Sequence, residues 1–120
     1  MSEYETSDST AILVFVPVRT STPGNAREHW RVAGKKAKMQ RQAAKWTLQG
    51  RKLPPFPVRV KLIRCSSGKL DRHNLPGALK HVIDGVADAY GVDDGDPRWV
   101  FEFDQEKSKL VGVRVEIESK

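Results

Sequence analysis

The alternation of apolar and polar residues divides this chain into four strand-like stretches and two helical ones. Ala11 to Val16 is a continuously apolar run stopped by Pro17, which predicts a short buried strand. Thr20 to Asn25, with Pro23 and Gly24 among small polar residues, reads as a loop that delivers Asn25 as a helix N-cap. From about Ala26 to Leu48, Arg27, Arg31, Lys35, Lys38, Arg41 and Lys45 recur at three- and four-residue steps, so a basic stripe runs down one side. Trp30, Ala33, Ala37 and Ala44 fall on another side, which can face a core. Gly50 and the Pro54-Pro55-Phe56-Pro57 cluster end that helix and force an extended connection.

Val58 to Arg64 then alternates Val58, Val60 and Leu62 with Arg59, Lys61 and Ile63, as a strand does when one sheet face is wetter than the other. Ser66, Ser67 and Gly68 make a turn towards Asp71. The second helix is expected to begin after Asn74, whose side chain can cap it, with Pro76 tolerated in the first turn. Leu75, Ala78, Leu79, Val82, Ile83, Val86, Ala87 and Tyr90 form its apolar stripe, and Gly91 is placed as its C-terminal cap. Beyond Pro97, Trp99, Phe101 and Phe103 alternate with Val100, Glu102 and Asp104; after a polar turn at Glu106 to Lys109, Val111, Val113, Val115 and Ile117 follow at period two. Those two stretches predict a hairpin. Trp30, Trp46 and Trp99 are expected in the core or a dimer interface. The fold class that follows is α/β in the broad sense (α+β): a small mixed sheet of about four strands with two packed helices. Residues 1–10 read as a flexible tail and 11–120 as a single domain.

Composition narrows the function classes. At 120 residues and 38% hydrophobic content the chain suits one core rather than two. Cys65 is the sole cysteine, so neither a disulfide framework nor a cysteine zinc site is available, which fits a reducing cytoplasm. The polar, acid-containing start MSEYETSDST and the short apolar run after it argue against export or membrane insertion. The net charge is +6, but nine Lys or Arg residues against Glu28 alone lie between Arg27 and Lys52, a window of +8 that leaves −2 for the rest. A basic segment beside an acidic one suits a protein that grips a polyanion with one part and holds a cation with another. A solvated charged helix face is the simpler account.

The candidate chemistry lies between Leu70 and Arg98. Asp71 and His73 precede the second helix, and Asp93, Asp94 and Asp96 follow it, so folding could bring carboxylates from its two ends to one point. Magnesium needs one or two such carboxylates plus phosphate oxygens, the requirement of a metal-dependent phosphodiesterase. If Asp71 ends an extended segment, its side chain and that of His73 share a face. Asp93, Asp94 and Asp96 with Gly95 also have an account as turn chemistry. Asp84 is equally a partner for Lys80 one turn earlier, and His73 a hydrogen-bonding group near a helix start. For His29, beside Trp30, DNA contact and simple packing are both open.

The run Leu70-Asp71-Arg72-His73-Asn74-Leu75, then Ile83-Asp84-Gly85-Val86 and Gly91-Val92-Asp93-Asp94, resembles the RusA family of Holliday-junction resolvases, especially its phage-encoded members. Asn25-Ala26-Arg27-Glu28-His29-Trp30, Asp96-Pro97-Arg98 and Gln105 are similar to that family as well, and the resemblance extends from about Pro17 to Val115. It implies a homodimeric, magnesium-dependent endonuclease of RusA-like fold that nicks four-way DNA junctions, with manganese as a second usable metal. Its partners would be branched DNA and a second copy, with no membrane and no small-molecule substrate. Its location would be the cytoplasm, near the nucleoid of a bacterial host, with a phage or prophage origin.

Carried over by position, the resemblance implies Asp71, His73 and Asp94 as catalytic residues and Asp71, His73, Asp93 and Asp94 around the metal. Asn74, Lys80 and Asp84 would support them. Asn25, Arg27, His29, Arg31, Lys35, Lys38, Lys69 and Arg72 would hold DNA. Two positions depart from the pattern. His73 stands where a second acid belongs, and a neutral imidazole suits manganese or zinc better than magnesium. Gly77 stands where the best-known member carries a catalytic lysine, which leaves Lys80 as the substitute. The runner-up expectation is a catalytically impaired protein that binds branched DNA on the same scaffold; a basic RNA- or ribosome-associated protein is a third.

Overall fold

In the computed structural model, which describes residues 11–20 and 30–120 and side chains from residue 34 in the second segment, the chain runs through four strands and three helices. They are β1 (Ala11–Val16), α1 (Trp30–Leu48), β2 (Val58–Ser66), a 3-10 turn (Arg72–Asn74), α2 (Leu75–Ala78), α3 (Lys80–Tyr90), β3 (Val100–Lys107) and β4 (Gly112–Ser119). The tail at 1–10 and the cap Asn25 lie outside the described residues, as do Arg27 and His29.

The strands form one mixed sheet in the order β1-β4-β2-β3. β2 runs parallel to β3 and antiparallel to β4, and β4 is antiparallel to β1. The expected hairpin is therefore absent: β3 and β4 flank β2 instead of pairing. Their short connection crosses the end of β2, where the Ser108 N–H donates to the Ser66 carbonyl at 2.9 Å. Period two is satisfied by either arrangement, since it specifies which face a side chain takes and not which strand lies alongside.

Register accounts for the core. Val14 and Val16 of β1, Val58, Val60 and Leu62 of β2, and Val113, Val115 and Ile117 of β4 bury their side chains on the helical side of the sheet. Ala44 and Leu48 of α1 and Val82, Ile83, Val86 and Ala87 of α3 complete the cluster. Each fully buried Val or Leu contributes about 1.5–3 kcal/mol relative to exposure. α1 and α3 meet at Gly85, where a Cβ would fall 2.3 Å from the Arg41 carbonyl oxygen and 2.6 Å from the Ala44 Cβ. Glycine there sets the distance between the helices.

The predicted wet-and-dry alternation of β2 holds only for its first half. Ile63, Arg64, Cys65 and Ser66 are all buried, Arg64 beneath the segments that carry Thr20 and Gly68. Arg64 is 7% exposed. Its Nε donates to Thr20 Oγ1 at 3.1 Å, and its two terminal nitrogens donate to the Gly68 and Thr20 carbonyls at 2.9 and 3.2 Å. Burial pulls its pKa down, yet these neutral oxygens satisfy the guanidinium fork.

The second predicted helix is present but broken at Leu79, whose φ of −102° and ψ of 2° separate α2 from α3. Asn74 precedes α2 without a side-chain capping bond, because it already has helical backbone angles as the last residue of the 3-10 turn. Gly91 does close α3, in the left-handed region at φ 68°, with its N–H directed to the Asp88 carbonyl at 3.1 Å. Trp99 is in the core, stacked on Phe101 and edge-on to Phe56 and Tyr90. Trp46, by contrast, is 64% exposed and belongs to no core of this chain. No helix among the described residues is long and apolar enough to cross a membrane.

Candidate functional site

α3 spans about 16 Å at the usual helical rise, and the loop after Gly91 doubles back along it. The Trp99 indole N–H pins that loop by donating to the Asp93 carbonyl at 2.8 Å. As a result Asp94, which follows the helix, comes to the residue that starts it: Lys80 Nζ lies 2.6 Å from Asp94 Oδ2 and 2.9 Å from Asp84 Oδ1. The sequence-level pairing of Lys80 with Asp84 is thus present, and Asp94 joins it. Asp94's carboxyl is held below the usual range, chiefly by its hydrogen bond from Lys80, while Lys80 is pushed up by Asp94 and then Asp84.

The three aspartates of the loop have different employment. Asp93 Oδ2 accepts the Gly95 N–H at 3.0 Å, and Asp96 accepts the Arg98 N–H and guanidinium, with its carboxyl lowered to about 2. Those two build the turn, as the simpler account expected; only Asp94 is turned on to α3.

A cleft of about 210 Å³ opens beside this contact, lined by Arg41, Asp84, Ala87, Asp88, Gly91, Val92, Asp93 and Asp94. Arg41 crosses from α1 to Asp88 with two bonds of 2.6 and 2.8 Å, which lower the Asp88 carboxyl. Asp88 and Arg41 had no signal as a pair in the sequence, being 47 residues apart. Four carboxylates thus border one cleft, with two cations, Arg41 and Lys80, distributed among them.

Asp71 and His73 lie at the end of the connection from β2. Both are exposed, and neither side chain makes a hydrogen bond or ion pair among the described residues. The expectation that they share a face by strand periodicity does not apply, because residues 72–74 form a 3-10 turn rather than an extended segment. The connection itself is fixed one residue earlier: Gln105 of β3 accepts the Leu70 N–H at 3.0 Å and donates to the Leu70 carbonyl at 2.8 Å.

Among the described residues, no three or more His, Cys, Asp or Glu side chains gather as a metal-holding group. Carboxylate oxygens are the protein ligands that magnesium prefers, and here two of them, from Asp84 and Asp94, converge on the Lys80 ammonium.

Of the residues expected to hold DNA, Lys35 and Lys38 are exposed on α1, and Lys69 and Arg72 are exposed on either side of Asp71. The side chain of Arg31 lies outside the described residues. Compared with models of protein families, with curated proteins and with solved structures, the chain matches none of them.

Proposed function

We propose that this chain is a metal-assisted endonuclease of branched DNA, acting as a homodimer on four-way junctions. The observation that carries the reading is the convergence of Asp84 and Asp94, one within α3 and one beyond it, on Lys80 Nζ. A site that concentrates carboxylates on one cation, in a protein of net charge +6 whose first helix carries six Lys or Arg and no acid, suits a divalent ion and a phosphodiester together.

Asp94 and Asp84 would hold the ion, with Asp71 assigned to the same site by the family resemblance rather than by any contact among the described residues. When bound, magnesium or manganese supplies Lewis acidity towards a phosphoryl oxygen and a more acidic bound water. The chain's own groups do the rest. Lys80 offsets one of the two carboxylate charges and can donate to a phosphate oxygen. Lys35, Lys38, Lys69 and Arg72 bind flanking phosphates, so affinity falls steeply with added salt.

The test is cleavage of a labelled four-way junction with magnesium and with manganese. Paired nicks are expected from the native chain and their loss from Asp71→Asn and Asp94→Asn; unchanged cleavage by the double variant would overturn the assignment.

A second reading is favoured by one observation: the Lys80 ammonium already lies between Asp84 and Asp94, and His73 supplies no negative charge. In that reading the chain binds junctions without cutting them. It predicts tight, salt-sensitive binding and nicks only after His73→Asp.

A further inference from the structure

Met39 and Trp46 stand seven residues apart on α1, two turns along one line, and each is 64% exposed. The opposite side of the helix carries Gln40, Ala44 and Leu48 into the interior. An exposed indole leaves one of the largest apolar surfaces of any side chain in water, and the Trp46 ring has no ring contact among the described residues. Its nearest polar neighbours on the helix are Gln42, Lys45 and Gln49, Lys38 and Lys35 lie two and three turns back, and the 19 residues of α1 hold six Lys or Arg and no acid.

We propose that this outward face of α1 is a track for an unpaired nucleic-acid strand, with lysines on its phosphates and a base stacked on Trp46. The inference rests on the nucleic-acid reading above and deepens it by naming the form of DNA that the face takes. Stacking on a side chain requires a base with a free π-face, which a closed duplex does not offer and an unpaired strand does.

The arrangement of charge separates this face from a membrane anchor. A helix that lies in a bilayer surface keeps an uninterrupted apolar side for the lipid and its charges on the other. Here the buried side of α1, with Gln40, Ala44 and Leu48, is turned to α3 and the core, and the two exposed apolar residues share the outward surface with Lys35, Lys38 and Lys45. Cations beside an exposed aromatic on one surface are what a strand of alternating phosphates and bases requires.

The experiment is a fluorescence titration of the full chain with short oligothymidylate and with blunt duplex of the same length, comparing the native chain, Trp46→Ala and Trp46→Phe. The stacking of one base predicts that Trp46→Ala lowers the ratio of single-strand to duplex affinity by about 5- to 150-fold. Trp46→Phe, which keeps an aromatic face, is expected to hold the ratio within about threefold. Circular dichroism melting confirms that each variant is folded. An unchanged ratio in Trp46→Ala overturns the proposal and leaves the nuclease reading, which is decided at Asp71 and Asp94, standing. So does binding to phosphatidylserine vesicles, weakened by Trp46→Ala, with none to oligothymidylate: that result assigns the face to a lipid surface.

Discussion

Gln105 holds both backbone polar groups of Leu70, accepting its N–H at 3.0 Å and donating to its carbonyl at 2.8 Å. A side chain from β3 thus stands in for a neighbouring strand at the residue before Asp71, and it fixes where that carboxylate leaves the fold. Replacing Gln105 by Ala strands a half-buried donor and acceptor together, a loss of about 1–3 kcal/mol. A urea melt measures it. If the proposed nuclease reading is right, cleavage falls further than stability does, because Asp71 loses its anchor.

Gly85→Ala is expected to be the most damaging small change in the helical layer. The added methyl would meet the Arg41 carbonyl oxygen at 2.3 Å and the Ala44 Cβ at 2.6 Å, both parts of a packed helix that cannot swing aside. Forcing α1 from α3 costs about 2–3 kcal/mol, readable as a lower urea midpoint with little change in slope. A variant as stable as the native chain would show that the two helices slide freely, contrary to this packing.

Acid stability follows from three carboxyls. Asp88 beside Arg41, Asp94 beside Lys80 and Asp96 beside Arg98 all titrate below their ordinary value, Asp96 at about 2. A carboxyl depressed in the folded state stabilises fully above its unfolded pKa, about 3.9, and that contribution is lost as pH falls through the folded value. Melting temperature is therefore expected to hold steady from about pH 6 to about pH 4.5 and to decline towards about pH 2. Arg41→Met removes the main partner of Asp88 and flattens part of that decline.

Lys80→Met tests the cation between two acids. Without the ammonium, Asp84 and Asp94 face each other with nothing between them, so the Asp94 carboxyl rises from its depressed position, which carbon-detected NMR titration follows directly. The pair is half exposed, so global stability changes by less than about 1 kcal/mol. A fixed Asp94 titration in this variant would mean that the loop, rather than Lys80, sets its acidity.

Local patterns in the sequence carried much of the fold. Gly91 reads as a helix end because only glycine takes φ 68° without strain, and the apolar stripe from Leu79 to Ala87 has one face to bury. The pairing of strands was not legible in the same way. Ser108 to Val111 is as short as a hairpin turn, yet it bridges two strands separated by β2, a choice made by which apolar faces meet at long range. At the site, Lys80 and Asp84 were readable because helical spacing brings them together. Asp94 was recognised as an acid of interest, but its position 14 residues along from its partner depends on the path of a loop pinned by Trp99. Of the two places expected for Trp46, core or dimer interface, the core is excluded because α1 turns this residue outward.

Arg64 has a consequence for how the molecule opens. Among the described residues its charge is satisfied by oxygens of Thr20, from the segment after β1, and of Gly68, from the connection after β2. Neither segment can lift away alone without leaving a guanidinium in an apolar interior, which costs far more than one hydrogen bond. The two are expected to open as a single cooperative unit, so their amides should exchange hydrogen with solvent at a common rate. In that event the approach to Asp71 is held or released by a buried residue of β2, and the mobility of the connection that carries Asp71 is set from inside the fold.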